Sequence, residues 1–201
     1  MRPRVCGPRS ARLAAQWLRP IALAFVVGGG LHAANYTVTT FTDTASGGAA
    51  GTGAGAAGDL RSQIIAANAS SGADVINFAC GAPPCTITLT GPLPVINDAL
   101  TIDGGTLGNV IIDGASLYRV FFVNFATVGI SNLIIRNARA QGGAGGSGSG
   151  GGGGGAGLGG GLFVNNYLSQ VTITNVRFRN CSAVGGAGAA YGVTGRAGGS
   201  G

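Results

Sequence analysis

VGISNLIIRNARA, residues 128–140, returns as VTITNVRFRNCSA, residues 171–183. Val128, Ile130, Asn132, Arg136, Asn137 and Ala140 recur without gaps as Val171, Ile173, Asn175, Arg179, Asn180 and Ala183, so the stretch is an internal repeat. Within each copy, apolar and polar positions alternate with the period of a strand. Val171 and Ile173 lie opposite Thr172 and Thr174; after Asn175, Val176 and Phe178 lie opposite Arg177 and Arg179. Asn tolerates left-handed backbone angles and bonds its own main chain, so it suits the bends. Strand, Asn bend, strand, Asn bend is the pattern of a unit that stacks on copies of itself. Asn132 over Asn175, and Asn137 over Asn180, then read as stacked amide ladders.

Outward from the repeat, short apolar runs occupy 75–79, 86–90, 93–96, 100–103, 110–113 and 119–123. Phe122, Val123 and Asn124 return as Phe163, Val164 and Asn165. These runs divide into four passes, 73–98, 99–118, 119–140 and 159–183, each expected to hold three strands. Upstream, YTVTTFT (36–42) alternates as a strand, a Gly/Ala linker follows over 46–58, and DLRSQIIAAN (59–68) has helical spacing with Asp59 as N-cap. A strand and a helix ahead of a stacked array predict a cap, over 34–72, that covers its first edge. Between the last two passes, 141–161 holds 15 Gly in 21 residues. Such a tract buries little surface against its ordering entropy, so it is expected to loop out as a mobile, disordered excursion. The segment 184–201 has the same character, and a chain that ends there without a closing cap reads as the front of a longer protein.

Residues 1–33 read as a secretory signal peptide. Arg2, Arg4, Arg9, Arg12 and Arg19 precede an apolar run, 21–27, and the small residues Ala33 and Ala34. The apolar stretch falls short of the roughly 20 residues of a bilayer span. The cut is expected after Ala33 or Ala34, and the product is expected to be exported without a membrane span. The formal net charge of the whole chain is +6, but five of its 12 Arg leave with the leader, so the mature part is nearly neutral. The basic surface that nucleic-acid binding requires is therefore not implied.

The chain contains no Lys and no Glu, and its only His, His32, lies at the cleavage site. Ser-His-Asp and Cys-His nucleophile systems, His metal clusters, Schiff bases and the Gly-Lys-Ser/Thr phosphate loop are thereby excluded, and no cofactor is implied. Asp103 and Asp113 stand in a doubled Ile-Asp-Gly and, with Arg119, are the candidates for acid-base chemistry. The competing reading makes the Asp-Gly pairs bends between strands. Arg136, Arg177 and Arg179 are candidates for an anionic ligand, against simple solvation of an outer face. Cys80 and Cys85 bracket a tight loop and read as a local disulfide; a metal site there would need further ligands, and none is available.

DLRSQIIAAN, DVINFAC, TITLTGPLPV, LTIDGG and the repeat together resemble the bacterial exported right-handed parallel β-helix proteins, among them adhesin-like and polymorphic outer-membrane-type surface proteins. Their cap helix usually carries Cys-Ser-Leu-Arg-Glu-Ala; Leu60 and Arg61 match it, while Gly58 and Ser62 stand where Cys and Glu are usual. The resemblance spans about 36–183. It implies an all-β solenoid, located extracellularly, at the cell surface or in the outer membrane. A non-enzymatic scaffold or adhesin, with surface glycans or other cell-surface components as partners, is the leading expectation. A polysaccharide lyase or hydrolase whose active residues lie mostly outside this chain is the alternative, and a Gly-rich matrix protein is the third.

Overall fold

A computed structural model describes residues 32–45, 53–148 and 150–189. Residues 1–31, which hold most of the expected leader, together with 46–52, 149 and 190–201, lie outside the described residues. Among the described residues the chain is mostly β with one helix, and its paired strands run parallel. In order the elements are β1 (Asn35–Val38), α1 (Leu60–Ala69), β2 (Asp74–Phe78), β3 (Cys85–Thr88), β4 (Leu100–Asp103), β5 (Val110–Asp113) and β6 (Phe121–Asn124). They continue with β7 (Thr127–Ser131), β8 (Leu133–Arg136), β9 (Arg139–Gln141), β10 (Leu162–Asn165), β11 (Gln170–Thr174), β12 (Arg177–Arg179) and β13 (Ser182–Val184).

From β2 onward each strand pairs with strands that are not its neighbours in sequence, while β1 pairs with β2 across α1. One sheet has the order β1-β2-β4-β7-β11 and a second the order β3-β5-β8-β12, while β6 pairs with β10 and β9 with β13. The two copies of the repeat meet in the register their identities imply, Val171 on Val128, Arg179 on Arg136 and Ala183 on Ala140. Register places like on like through the interior: Ile76, Ile102, Ile130 and Ile173 form one column, and Ile87, Ile112, Ile135 and Phe178 another. The first three of each column are buried, whereas Ile173 and Phe178 are 44% and 43% exposed, because no described strand lies beyond β11 and β12.

Local chemistry explains the corners. Asn132, Asn137, Asn175 and Asn180 have φ of +57°, +49°, +52° and +51°, the left-handed region that Asn enters at low cost. Phe125 takes the same conformation at φ +56° with its ring exposed, an outlier for a bulky residue. The run expected as a strand over 93–96 is reduced to a single bridge, Ile96 on Val123. Pro92 and Pro94 donate no N–H and so cannot extend the ladder.

At the end of the first sheet a strand and the helix lie together. β1 pairs with β2, and α1 packs on both, burying Leu60, Ile64 and Ala67. Asp59 caps the helix by accepting from the Ser62 N–H at 2.7 Å.

The Gly-rich insertion departs from expectation. Among the described residues it is hydrogen-bonded to neighbouring stretches: three segments, 142–146, 152–157 and 184–189, are cross-linked by backbone hydrogen bonds spaced three residues apart. Gly142 and Gly145 donate to Val184 and Ala187, Gly155 and Gly152 donate to Gly143 and Gly146, and Gly186 and Ala189 donate to Gly155 and Gly152. Three residues per turn without internal hydrogen bonds is the property of the polyproline II conformation, which leaves every N–H and C=O for a neighbour. A Cβ at Gly142, Gly145 or Gly186 would collide with the backbone oxygen of Gly155, Gly152 or Gly143, so glycine is required where the segments touch. The expectation failed because it counted only side-chain burial.

Candidate functional site: outward columns of Asp, Asn and Arg

The polar residues of the repeat line up in two columns along the bends. In the first, the Asn175 amide donates to Asn132 Oδ1 at 2.8 Å, and the Asn132 amide donates to Asp103 Oδ1 at 2.8 Å. In the second, Asn180 donates to Asn137 Oδ1 at 3.4 Å, and Asn137 donates to the Asp113 carboxylate at 3.1 and 3.2 Å. Each column thus ends in an Asp. A carboxylate only accepts, so it closes a chain of amides that all donate in one direction.

Both carboxylates have further donors. Asp103 Oδ1 also accepts from the Ser131 hydroxyl and the Gly105 N–H, and Asp113 Oδ1 from the Ala115 N–H. Arg136 Nε reaches Asp113 Oδ2 at 2.6 Å. Burial pushes the Asp103 carboxyl up, but hydrogen bonds from Asn132, Gly105 and Ser131 outweigh it and hold the group below its ordinary value. At Asp113, burial is likewise outweighed, here by the Ala115 N–H, Arg136 and Asn137. A carboxyl held ionised below its ordinary range is unsuited to general acid work near neutral pH.

The residues singled out for chemistry are not brought together. Asp103 and Asp113 end strands of different sheets. Arg119 belongs to neither column: its guanidinium stacks on Phe122 and Phe163 at 5.3 and 5.0 Å and donates to the carbonyls of Leu158 and Gly159. Burial pushes its pKa down. Arg119 therefore ties the Gly-rich insertion to the sheet formed by β6 and β10, and it borders an apolar cleft of ≈ 260 Å³ with Pro92, Leu93 and Val95. No group of three His, Cys, Asp or Glu able to hold a metal ion occurs among the described residues.

Arg136 and Arg179 share a register position, but Arg136 is engaged by Asp113. Arg177 and Arg179 are exposed and form no salt bridge among the described residues. Cys80 and Cys85 are joined by a disulfide with a Cα–Cα separation of 5.9 Å, which closes the loop into β3. Cys181 is a half-buried free thiol.

One residue with a decisive role was noted in the sequence only as a motif match. Arg61 is 0% exposed; its Nε and Nη2 each donate to Asp43 at 2.9 Å, Nη2 also to Gly91 O, and Nη1 to Pro92 O. Asp43 in turn accepts from the Thr90 N–H. This buried pair bolts α1 to the turn that follows β3. The available signal was its position beside Leu60 on the helix face that Ile64 also shares, where an unpaired Arg would be untenable.

Comparison with protein-family models, curated proteins and solved structures returns no match. Among the described residues no helix is long and apolar enough to cross a membrane.

Proposed function

We propose that this chain is an exported, non-enzymatic scaffold of adhesin-like type, built as a right-handed parallel β-helix and located outside the cell or on its surface. The observation that carries the reading is the in-register parallel stacking of like residues, with amide columns closed by carboxylates. Asp103, Asp113 and Arg119 are engaged within the fold, and Arg177 and Arg179, exposed and without a salt bridge among the described residues, lie on one strand. An outward pair of cations without counter-ions suits anionic surface glycans.

Binding to an immobilised sulfated or acidic glycan tests this. Arg177→Ala with Arg179→Ala should weaken retention about tenfold, two exposed contacts being worth up to about 1 kcal/mol each. Arg136→Ala should weaken it less, since Arg136 already has Asp113. Failure of the unaltered protein to bind, or equal binding by the double variant, rejects the glycan reading.

A further inference from the structure

Ala34 is held by the side chain of a residue 40 positions away. Its N–H donates to Asp74 Oδ1 at 2.7 Å, and its carbonyl accepts from the Val75 N–H at 2.9 Å. Asp74 is 1% exposed, and its Oδ2 has no hydrogen-bond partner. The Ser70 hydroxyl also addresses Oδ1, at 3.5 Å. The two salt bridges among the described residues involve other carboxylates, so Asp74 has no counter-ion there. A buried carboxylate with a bare oxygen is costly, and such an atom calls for a donor.

The chain just before Ala34 is tightly placed as well. Gly72 has φ +135°, and a Cβ on it would come within 2.8 Å of His32 O and 3.0 Å of Ala33 N. Ala33, Gly72, Ala73, Asp98 and Ala99 line an open recess at this point, so a second carboxylate borders it.

We propose that Asp74 is the receptor for the N terminus of the mature protein, created by cleavage between Ala33 and Ala34. The inference rests on the exported reading above and extends it. An export peptidase adds water across the Ala33–Ala34 peptide bond; the C–N bond breaks, Ala33 leaves with the leader as a carboxylate, and the Ala34 nitrogen takes up protons as an ammonium. Before the cut that nitrogen has one N–H, which serves Oδ1. Afterwards it carries three and a positive charge, beside a buried anion that lacked both. Cleavage after Ala34 would instead remove the carbonyl that Val75 donates to and would move the charge to Asn35, whose register partner is Val75. The geometry therefore selects one of the two cuts that the leader's small residues allow.

The full-length chain expressed in a bacterial host provides the test. Sequencing of the exported product should begin at Ala34. A start at Asn35 or elsewhere overturns the receptor assignment and leaves export standing; an uncleaved chain overturns both. A second reading uses the absence of lysine from these 201 residues, which makes the α-amine the only primary amine of this chain once processed. An amine-acylating reagent at neutral pH should label the folded protein about tenfold more slowly than the denatured one, as for an amine raised about one pKa unit by an adjacent carboxylate. Asp74→Asn should remove most of that protection and Asp98→Asn little of it. Equal labelling of the folded and denatured unaltered protein rejects the ion pair, whether or not the Asp74 variant folds.

Discussion

The strand passes from β2 to β9 and the glycine segments between 142 and 189 are both held by backbone hydrogen bonds between neighbouring stretches, yet opposite sequences build them. In the passes, aliphatic columns such as Ile76, Ile102 and Ile130 exclude water from the ladder. In the glycine segments there is no interior, and contact is possible because nothing larger than hydrogen stands at Gly142, Gly145 and Gly186. The two regions should therefore respond in opposite ways to a change in side-chain size: the passes fail when side chains shrink, the glycine segments when they grow.

The largest effect is expected at the buried ion pair that locks the cap. Arg61→Ala leaves Asp43 buried without its partner and should cost about 3–5 kcal/mol in denaturant unfolding; a loss below about 1 kcal/mol would mean that the cap is not bolted there. Ile102→Ala deletes the middle of an aliphatic column and should cost about 3 kcal/mol, read in the same way. Asp113→Asn should cost about 1 kcal/mol at pH 7, since Arg136 is partly solvated. Because the folded Asp113 titrates below its ordinary value, its contribution is full above the unfolded value near pH 3.9 and is lost as pH falls through the folded one. Stability of the unaltered chain should thus drop below about pH 4, and the Asn variant should show a shallower drop.

The smallest global effect separates the two regions most sharply. Gly145→Val should leave the main unfolding transition within about 0.5 kcal/mol, because the tract adds no core. It should nevertheless abolish amide protection at Gly145, Gly152 and Ala189 in hydrogen exchange, where the Ile102 variant retains it. Equal protection in both proteins would show that close approach at Gly145 is not what holds the segments.

The strand passes were legible because side-chain identity carries their logic. Alternation marked the strands, the doubled VGISNLIIRNARA set the register before any contact was known, and the Asn residues of the repeat announced left-handed bends. Asp103 and Asp113 were harder. Their type fits acid-base chemistry and bend formation equally, and only their neighbours, Asn132, Ser131, Arg136 and Asn137, assign them to ending the amide columns. Arg119 was hard to place for the same reason, since stacking on Phe122 and Phe163 depends on which strands are adjacent.

By itself the sequence determined the repeat, its register and its Asn bends, because these depend on residues close along the chain or on identities repeated down it. The expected three strands per pass, by contrast, became two in 73–98 and 99–118 and four in 119–140 and 159–183. Tertiary structure alone decided that Arg61 meets Asp43, that Ala34 meets Asp74, and that three glycine segments lie side by side. Pairing across long separations leaves no local trace. A hydrogen bond between two glycine backbones leaves none at all, since the groups that make it are present in almost every residue.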